Sequence, residues 1–389
     1  MVLVCIGIFY FAGIGMLAPV LPRYVTNELG GSGADVGLVV GAFGLSALLL
    51  RSWMGRLGDR YGRRVLIVGG CAVLGVSFLG YGIGSLTGLI ALRLLSGAGE
   101  AAAIVGAVTL AEDLAPEGRS GQAAGYFSVS LSIGIMGSVP LGEWMYQRYG
   151  TDQVWLTAGL LCLVAAALGA ALPAWTRPEA AAGDAPPRRF LHPAAVRPGF
   201  VLALGVIGAC AFSTFVPLYA DAIGMDSAAT VFIVYAAAVM VVRLLGSRVP
   251  DLLGPSRGPA VALSVEIVAL VAMGLWTSPT GLYVSTTVFA LGSSLLYPSL
   301  MPVVVRASRP SERSHALGTL VLFFDLPFTV GAPVLGLLVE ASSERWAFIA
   351  AAGAAAAGWI LHRATCARGG YAAPVARQTP AATPEPTAA

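Results

Sequence analysis

The sequence predicts an all-α membrane protein with twelve transmembrane helices in two pseudo-symmetric six-helix bundles. Three observations carry this prediction: the composition, a series of long apolar segments, and an internal repeat. Hydrophobic residues make up 57% of the 389 residues and charged residues only 11%, whereas a soluble domain has roughly 25% charged residues. The apolar segments do not alternate with period two, so helices rather than a barrel must satisfy the backbone inside a bilayer.

Twelve apolar segments approach the length of about 20 residues that a helix needs to cross a bilayer. They cover 2–22, 35–54, 65–84, 87–111, 121–144, 154–174, 199–219, 228–246, 259–277, 280–304, 315–339 and 345–362. The first segment lacks a basic flank and is too long for a signal peptide, so we expect no cleavage there. The proline-rich segment 175–198 then separates an N-terminal bundle, 1–174, from a C-terminal bundle, 199–363. The Ala/Pro/Thr-rich tail, 364–389, is expected to be disordered and cytoplasmic.

Every basic residue is an arginine, and the arginines predict the orientation. With a cytoplasmic amino terminus, seventeen of the 23 lie in cytoplasmic segments. Such a bias is the positive-inside pattern. It places both termini and the 175–198 linker in the cytoplasm of a bacterial cell, with the spans in the inner membrane. The three arginines expected outside are Arg23, Arg148 and Arg345, and the three expected within spans are Arg51, Arg93 and Arg243.

The two halves also resemble each other in sequence. An ordered series of matches recurs at an offset of 192 to 195 residues, and it includes rare proline and charged positions. The series pairs Pro22 and Tyr24 with Pro217 and Tyr219, and Arg51, Asp59 and Gly62 with Arg243, Asp251 and Gly254. Parallel six-helix repeats place a substrate site between the halves, near the middle of the bilayer.

The charged segment Gly55-Arg56-Leu57-Gly58-Asp59-Arg60-Tyr61-Gly62-Arg63-Arg64 interrupts the apolar chain after the second predicted span. Its sequence resembles the loop signature G-x-L-x-D-R-x-G-R-R of the major facilitator superfamily of transporters. The resemblance implies a conformational latch, in which Asp59 and its arginine neighbours hold the two halves together on the cytoplasmic side. The helix that begins near Ser314 offers Asp59 a partial positive charge. The alternative is a basic loop that only sets topology. The residues of this expected latch are Gly55, Asp59, Arg60, Gly62, Arg63 and Arg64.

The fourth predicted span contains Arg93-Leu94-Leu95-Ser96-Gly97, which resembles the R-x-x-x-G element that the same family associates with proton coupling. An arginine within a bilayer needs a partner or a polar cavity. Glu100 lies two helical turns further on the same face, too far for direct contact but able to line the same polar path. The alternative is an Arg93 that extends out of the bilayer or bonds to neighbouring backbone.

The fifth predicted span resembles the antiporter signature G-x-x-x-G-P-x-x-G-G, although its glycine spacing is shorter, its proline is displaced and Glu143 replaces the last glycine. The matching residues are Gly134, Gly137, Pro140 and Gly142. The resemblance implies an exporter rather than an importer. The alternative is close packing of small residues alone.

Asp325 lies in the middle of the eleventh predicted span, next to Phe323, Phe324 and Pro327. We expect a lone carboxyl group there to be compensated by a proton or by a cationic substrate, with the two aromatic rings forming a wall of the binding site. Glu266, in the ninth span, is interpreted as structural. Arg51 and Arg243 are expected near the cytoplasmic ends of their spans, where they brace loops. The alternative for both is a direct role in substrate binding.

The sequence contains no phosphate-binding loop, dinucleotide fingerprint, nucleophile elbow or ligand-spaced Cys/His cluster. It therefore predicts no enzyme, catalytic residue, cofactor, metal or nucleic-acid partner. The interpretation is a monomeric secondary transporter, coupled to protons, that exports small amphiphilic compounds such as drugs. A proton symporter that imports a sugar, organic acid or other metabolite is the main alternative. A transport-inactive sensor or scaffold is the remaining one.

Overall fold

The computed structural model describes residues 2–114, 120–172, 191–245, 249–309, 312–368 and 370–371. In these ranges the chain forms helices joined by turns, without strands. The α-helices are α1 (Val2–Leu17), α2 (Leu21–Arg23), α3 (Gly33–Tyr61), α4 (Arg63–Leu79), α5 (Leu86–Asp113), α6 (Ser120–Tyr149), α7 (Thr151–Ala170), α8 (Pro193–Ala222), α9 (Ala229–Leu245), α10 (Val249–Leu275), α11 (Pro279–Arg306), α12 (Arg313–Leu326), α13 (Ala332–Ala341) and α14 (Glu344–Ala367).

Two rods are composite. Helix α1, α2 and the π-helical turn Tyr24–Glu28 together form one rod, and the π-helical turn Pro327–Gly331 joins α12 to α13 in the other. The described chain thus contains twelve helical rods, six before and six after the segment 173–190, as the sequence predicted. Nine of the described helices are long and apolar enough to cross a membrane, and Ala229–Arg243 is a shorter apolar helix.

The charged segment after the second span is largely helical rather than a loop. The sequence analysis ended that span at residue 54, but α3 continues to Tyr61. Arginine and leucine favour helix, and the polar last turns can leave the bilayer without breaking. Gly62 ends the helix with φ +91°, a conformation that L side chains rarely adopt. The chain then enters α4 directly. Likewise, α8 begins at Pro193, inside the segment expected as linker.

The two ends of the bundle differ in how closely the halves approach. We call the end that carries Arg60, Arg63 and Arg64 the arginine-rich end, and the other the opposite end. At the opposite end, α3 packs against α13 and the preceding π-helical turn, and α6 packs against α9. Towards the arginine-rich end, α3 contacts α12 much less. The halves are therefore closed together at the opposite end.

A row of glycines makes the close approach of α3 to α13 possible. Cβ atoms built on Gly33, Gly37 and Gly41 would collide with Val339, with the Ala332 carbonyl and with Pro333 of the facing helix, respectively. The row continues one turn further to Gly44, beside Thr329. Small residues let two helix backbones meet at van der Waals distance. We refer to Gly33, Gly37, Gly41 and Gly44 as the glycine row.

Candidate substrate cavity and its ion network

A cavity of about 410 Å³ lies between the two halves. Helices α1, α3, α5 and α6 line it from one half, and α8, α9 and α12 from the other. Most of its surface is apolar and aromatic, and its charged lining residues are Arg93, Glu100 and Asp325. A mostly apolar pocket with a few converging polar groups is typical of a small-molecule site. Its aromatic lining consists of Phe43, Phe212, Phe232, Tyr235, Phe324 and Phe328.

Three charged side chains from three helices meet beside this cavity. Arg51 of α3 hydrogen-bonds Glu100 of α5 through Nη2, at 3.2 Å from each carboxylate oxygen. Its Nη1 lies 2.5 Å from Oδ2 of Asp325 on α12, an ion pair without hydrogen-bond alignment. All three side chains are less than a quarter exposed. We call Arg51, Glu100 and Asp325 the central ion cluster.

The central ion cluster corrects two expectations. Asp325 is not a lone acid, because Arg51 from the other half of the molecule faces it. Arg51 does not brace a loop at the end of its span, because α3 extends ten residues beyond it. The sequence offered one signal, since Arg51 was counted among the arginines inside spans. With both carboxyl groups ionised, the cluster has one positive and two negative charges, a net charge of −1.

Only one of the two phenylalanines expected beside Asp325 lines the cavity. Phe324 does so and is 40% exposed, whereas Phe323 is buried against Gly199 and stacks edge-to-face on Phe200 at 4.9 Å. Neighbouring helical positions point about 100° apart, so both rings cannot face one cavity. Phe328, four residues after Phe324, takes the second place in the wall. Residues four positions apart share one face of a helix, so the spacing of Phe324 and Phe328 predicts this pair.

Pro327 begins a short π-helical segment beside this site. Proline removes one helical N–H, and here the helix widens into the π-helical turn Pro327–Gly331. The Thr329 hydroxyl donates to the Asp325 carbonyl at 3.2 Å.

Arg93 lines the cavity but makes no contact with the central ion cluster. Its Nε donates to the Val39 carbonyl at 3.0 Å, and its Nη1 donates to the Tyr81 hydroxyl at 3.4 Å. The guanidinium carbon lies 4.5 Å from the centre of the Phe43 ring. The residue is 8% exposed. Among the described residues its partners are neutral, a backbone carbonyl, a hydroxyl and an aromatic ring.

At the arginine-rich end, the expected latch residues contact their own half. Asp59 is exposed and pairs with Arg63 at 2.7 Å, one turn away. Arg63 also lies 3.4 Å from Asp113 of α5, and Arg64 donates to the Ala170 carbonyl of α7. Arg60 stacks on the ring of Tyr61. In the described part of the chain we find no contact from Asp59 to the second half, as expected when the halves are separated at this end. The helix that begins near Ser314 was expected to attract Asp59, and the side chain of Ser314 lies outside the described residues.

The antiporter-like segment of α6 packs on α1. Cβ atoms built on Gly134 and Gly142 would collide with α1 at Phe11 and Met16, whereas Gly137 faces open space. Pro140 lies inside the helix, which continues without a break. Two of the three glycines are therefore required for close helix packing.

At the opposite end, the sequence analysis missed a second ion network. Arg23 donates to both carboxylate oxygens of Asp221, at 2.7 and 2.5 Å, and to the Pro217 carbonyl at 3.3 Å. It also pairs with Glu143 of α6, which accepts from the backbone N–H of Ala228 at 3.1 Å. Arg23 and Glu143 are buried. We call Arg23, Glu143 and Asp221 the closing network, since it joins the halves beyond the cavity-lining Pro22.

Glu266 is completely buried in the second half. It packs against Gly205 of α8 and Gly292 of α11, and its Oε2 has no hydrogen-bond partner among the described residues. This position, away from the lining of the cavity, agrees with the structural interpretation. No group of His, Cys, Asp and Glu side chains in the described ranges could hold a metal ion.

Twelve packed helical rods around a central cavity with charged groups define a multi-pass membrane transporter. The chain belongs to the Major Facilitator Superfamily, whose family model matches residues 3–280 and 253–367. It is similar to the uncharacterised MFS-type transporter YhhS of Escherichia coli K12, with 29% identity over 373 residues, 92% of this chain and 91% of the relative. The YhhS protein of Salmonella typhimurium is also 29% identical, over 389 residues, with 92% and 91% covered.

Solved structures with low sequence identity share the fold. A bacterial homologue of the human lysosomal transporter Spinster, in an inward-facing and occupied conformation, aligns with a TM-score of 0.77 at 16% identity, covering 93% of this chain and 94% of that one. The nucleoside transporter NupG aligns with a TM-score of 0.71 at 15% identity, covering 93% and 98%. These similarities show the transporter fold and no substrate.

Proposed function

We propose that this chain is a proton-coupled secondary transporter that exports small amphiphilic compounds by alternating access. The observation that carries the proposal is the position of Arg51, which bridges Glu100 of the first half and Asp325 of the second half beside the aromatic cavity. A charged pair across the interface between the halves must change when they move. A proton or a substrate charge that alters the pair therefore biases that movement.

Proton coupling follows from competition for one buried arginine. When Asp325 is ionised, it attracts Arg51 and draws the halves together in the middle of the bilayer. When Asp325 takes up a proton, its attraction to Arg51 weakens and Arg51 keeps Glu100 within its own half. The net charge of −1 on the ionised cluster also attracts either a proton or a cationic group of a substrate. Binding of the two is then mutually exclusive, which is the requirement for antiport.

Alternating access needs two closures at opposite ends of the bundle. The glycine row and the closing network form the closure seen here. In the proposed cycle these contacts open, and the latch of Gly55, Asp59, Arg60, Gly62, Arg63 and Arg64 closes the arginine-rich end. The arginine bias favours a cytoplasmic location of that end. The conformation described here then faces the cytoplasm, with both chain termini on the same side of the inner membrane.

Two features favour export of amphiphilic compounds. The cavity is lined mainly by apolar and aromatic side chains, which suit an amphiphile better than a sugar. The α6 segment with Gly134, Gly137, Pro140 and Gly142 resembles the antiporter signature. One buried apolar cluster contains residues of both halves of the same chain, so a monomer is sufficient for this mechanism. No cofactor is required.

The test is transport by purified protein in liposomes of defined orientation, with an imposed pH gradient and a compound panel. Export by antiport requires that substrate movement and proton movement have opposite directions. Asp325→Asn is expected to abolish gradient-driven accumulation while downhill exchange of substrate continues, because only the proton site is lost. Glu340→Gln is the matched control, since Glu340 lies at the far end of the same rod, outside the cavity lining, and accepts a hydrogen bond from the Ser32 hydroxyl that the amide oxygen can still accept.

Each alternative predicts a different result. Loss of cationic compounds alone by Asp325→Asn, with neutral compounds still moved, assigns Asp325 to substrate charge rather than to the proton. Movement of substrate in the same direction as protons identifies the importing symporter. Wild-type behaviour of Asp325→Asn in both assays contradicts the coupling role, and absence of flux for every compound contradicts transport.

A further inference from the structure

The cavity has two separate charged poles, and the second is not explained by proton coupling. The first pole is the central ion cluster, with its net charge of −1. The second is Arg93, which lines the same cavity. Arg93 and Glu100 are seven residues apart on one face of α5, which separates the poles by about 10 Å along the helix. In the described residues, no charged side chain connects Arg93 to the central ion cluster, because the contacts of Arg93 are with neutral groups.

Arg93 has hydrogen-bonding capacity that the protein does not use. A guanidinium group has five N–H donors, and those of Arg93 make two hydrogen bonds in the described chain, to the Val39 carbonyl and the Tyr81 hydroxyl. Both partners are neutral, and the Phe43 ring covers one face of the group. Buried cations are normally paired with an anion. The arrangement holds the Arg93 side chain in place and leaves its charge without a carboxylate partner among the described residues.

The geometry points to a zwitterionic amphiphile as the substrate, with its anionic group on Arg93 and its cationic group at Glu100 and Asp325. This inference rests on the proposed transport function and names its substrate class. It gives Arg93 a specificity-determining role in place of the expected role in proton coupling.

Charge balance distinguishes the zwitterion from simpler ligands. With both carboxyl groups ionised, the central ion cluster and Arg93 together have no net charge, and a zwitterion compensates both poles. A lone cation leaves Arg93 unpaired. A lone anion pairs with Arg93 but leaves the negative pole, which only a proton would neutralise, so that proton and anion would move together. A zwitterion both exchanges against a proton, because the proton displaces its cationic end from Asp325, and supplies the anion that Arg93 lacks.

The aromatic surface between the two poles indicates which chemical group should join the two charged ends of the substrate. Phe43 lies against Arg93, while Phe324 lies next to Asp325 and Phe328 one turn beyond it. An apolar linker between the two charged groups can pack on these rings and lose contact with water. A linker of about 10 Å corresponds to the separation of the poles along α5. Shorter zwitterions reach one pole only.

The experiment uses ω-amino acids of increasing chain length in liposomes that contain the purified protein and carry a pH gradient. Each amino acid is compared with its methyl ester, which is only cationic, and its N-acetyl derivative, which is only anionic. Wild-type protein is expected to move the zwitterion about tenfold faster than either derivative, as one charge-assisted contact would give, with the best rate near 8-aminooctanoate.

Two arginine variants separate a substrate contact from a general structural role. Arg93→Gln is expected to reduce transport of the zwitterion to the level of its methyl ester, while transport of the methyl ester itself is unchanged. Arg93→Lys, which keeps the charge, should restore part of the preference. Arg148→Gln, which removes an exposed arginine outside the cavity, is the matched control and should retain the wild-type preference.

If these compounds are moved, three results overturn the inference while transport stands. The methyl ester could be moved as fast as the zwitterion by wild type, Arg93→Gln could slow both equally, or the N-acetyl derivative could be moved best, together with protons. The last result would support the importing symporter. If wild type moves none of these compounds but moves others in the wider panel, the zwitterion is excluded and export survives. If nothing moves at all, the proposed function fails as well.

Discussion

Arg23 grips both carboxylate oxygens of Asp221 across the interface between the halves, with its Nε and Nη2 at 2.7 and 2.5 Å. The two residues are 198 positions apart in the chain. They lie on rods that the internal repeat relates, since Pro22, directly before Arg23, matches Pro217, one helical turn before Asp221. Repeat-related rods are therefore in direct contact: the first rod of each half meets the other at the opposite end of the protein.

We expect Asp221→Asn to favour opening of the molecule at this end. The amide keeps the size of the side chain but removes one partner of a paired, charge-assisted contact, which costs about 1 kcal/mol or roughly fivefold in population. The measurement is labelling of a single cysteine at Ala18, which lines the cavity, by an impermeant maleimide added from that side. All five native cysteines are replaced beforehand.

Asp226→Asn is the matched control for this prediction. Asp226 accepts a hydrogen bond from Gln147 through its backbone carbonyl, which the substitution preserves. The cysteine at position 18 should be labelled at the same rate in Asp226→Asn as in the parent protein. Equal rates for Asp221→Asn and the parent would mean that the glycine row alone keeps this end closed.

The central ion cluster predicts compensation between two substitutions. Arg51→Gln leaves Glu100 and Asp325 facing each other without a cation, and an uncompensated charge of this kind destabilises a protein strongly. We expect a clear fall in the melting temperature of the purified protein in detergent. Adding Asp325→Asn removes the surplus carboxylate, so the double variant should recover stability but not proton-driven transport.

Additivity would contradict this arrangement. If the two substitutions each lower the melting temperature and the double variant loses the sum, the ion pair contributes no coupling energy. Arg243→Gln serves as the comparison, because Arg243 is the residue that the internal repeat matches with Arg51 and it does not line the cavity. Its combination with Asp325→Asn should give additive changes.

The glycine row predicts a conformational lock. In Gly37→Val, the side chain would collide with the Ala332 carbonyl and with Pro333, both of which are parts of a helix backbone or ring that cannot move aside. The halves could then no longer meet at the opposite end, so transport should stop while the protein remains folded and inserted. Cysteine labelling at Ala18 from that side would rise, as for Asp221→Asn but to a larger extent.

Gly69→Ala is the control for this lock, because a Cβ on Gly69 meets nothing within 4 Å. It should transport normally. Normal transport by Gly37→Val would show that closure does not require α3 and α13 to approach as they do here. Loss of folded protein would be visible as aggregation in detergent and would be separated from a lock by the labelling result.

The twelve rods could be predicted because a transmembrane helix can be identified from its own sequence: a long apolar segment between charged segments is sufficient. The central ion cluster could not be predicted, since Arg51 and Asp325 are far apart in the sequence and no local pattern indicates that they meet. The sequence identified Asp325 and Glu100 as unusual but missed their common partner. Phe323 shows a different failure: adjacency in sequence suggested one wall, but helical geometry turns neighbouring side chains apart.

The last prediction concerns Asp59, the acidic residue of the expected latch. Here Asp59 is 65% exposed and its pair with Arg63 is one turn away on the surface, where such pairs contribute little to stability. Asp59→Asn should therefore fold, insert and melt as wild type does. If Asp59 holds the arginine-rich end closed in the other state, the variant should nevertheless lose most of its transport.

Asp113→Asn is the informative comparison for Asp59. Both acids face Arg63, but Asp113 is more buried and joins α5 to α4 within the first half. Its loss should lower stability and leave the conformational cycle intact, so that the remaining folded protein transports at a normal rate per molecule. Full turnover by a well-expressed Asp59→Asn protein would leave the charged segment with a role in membrane topology alone.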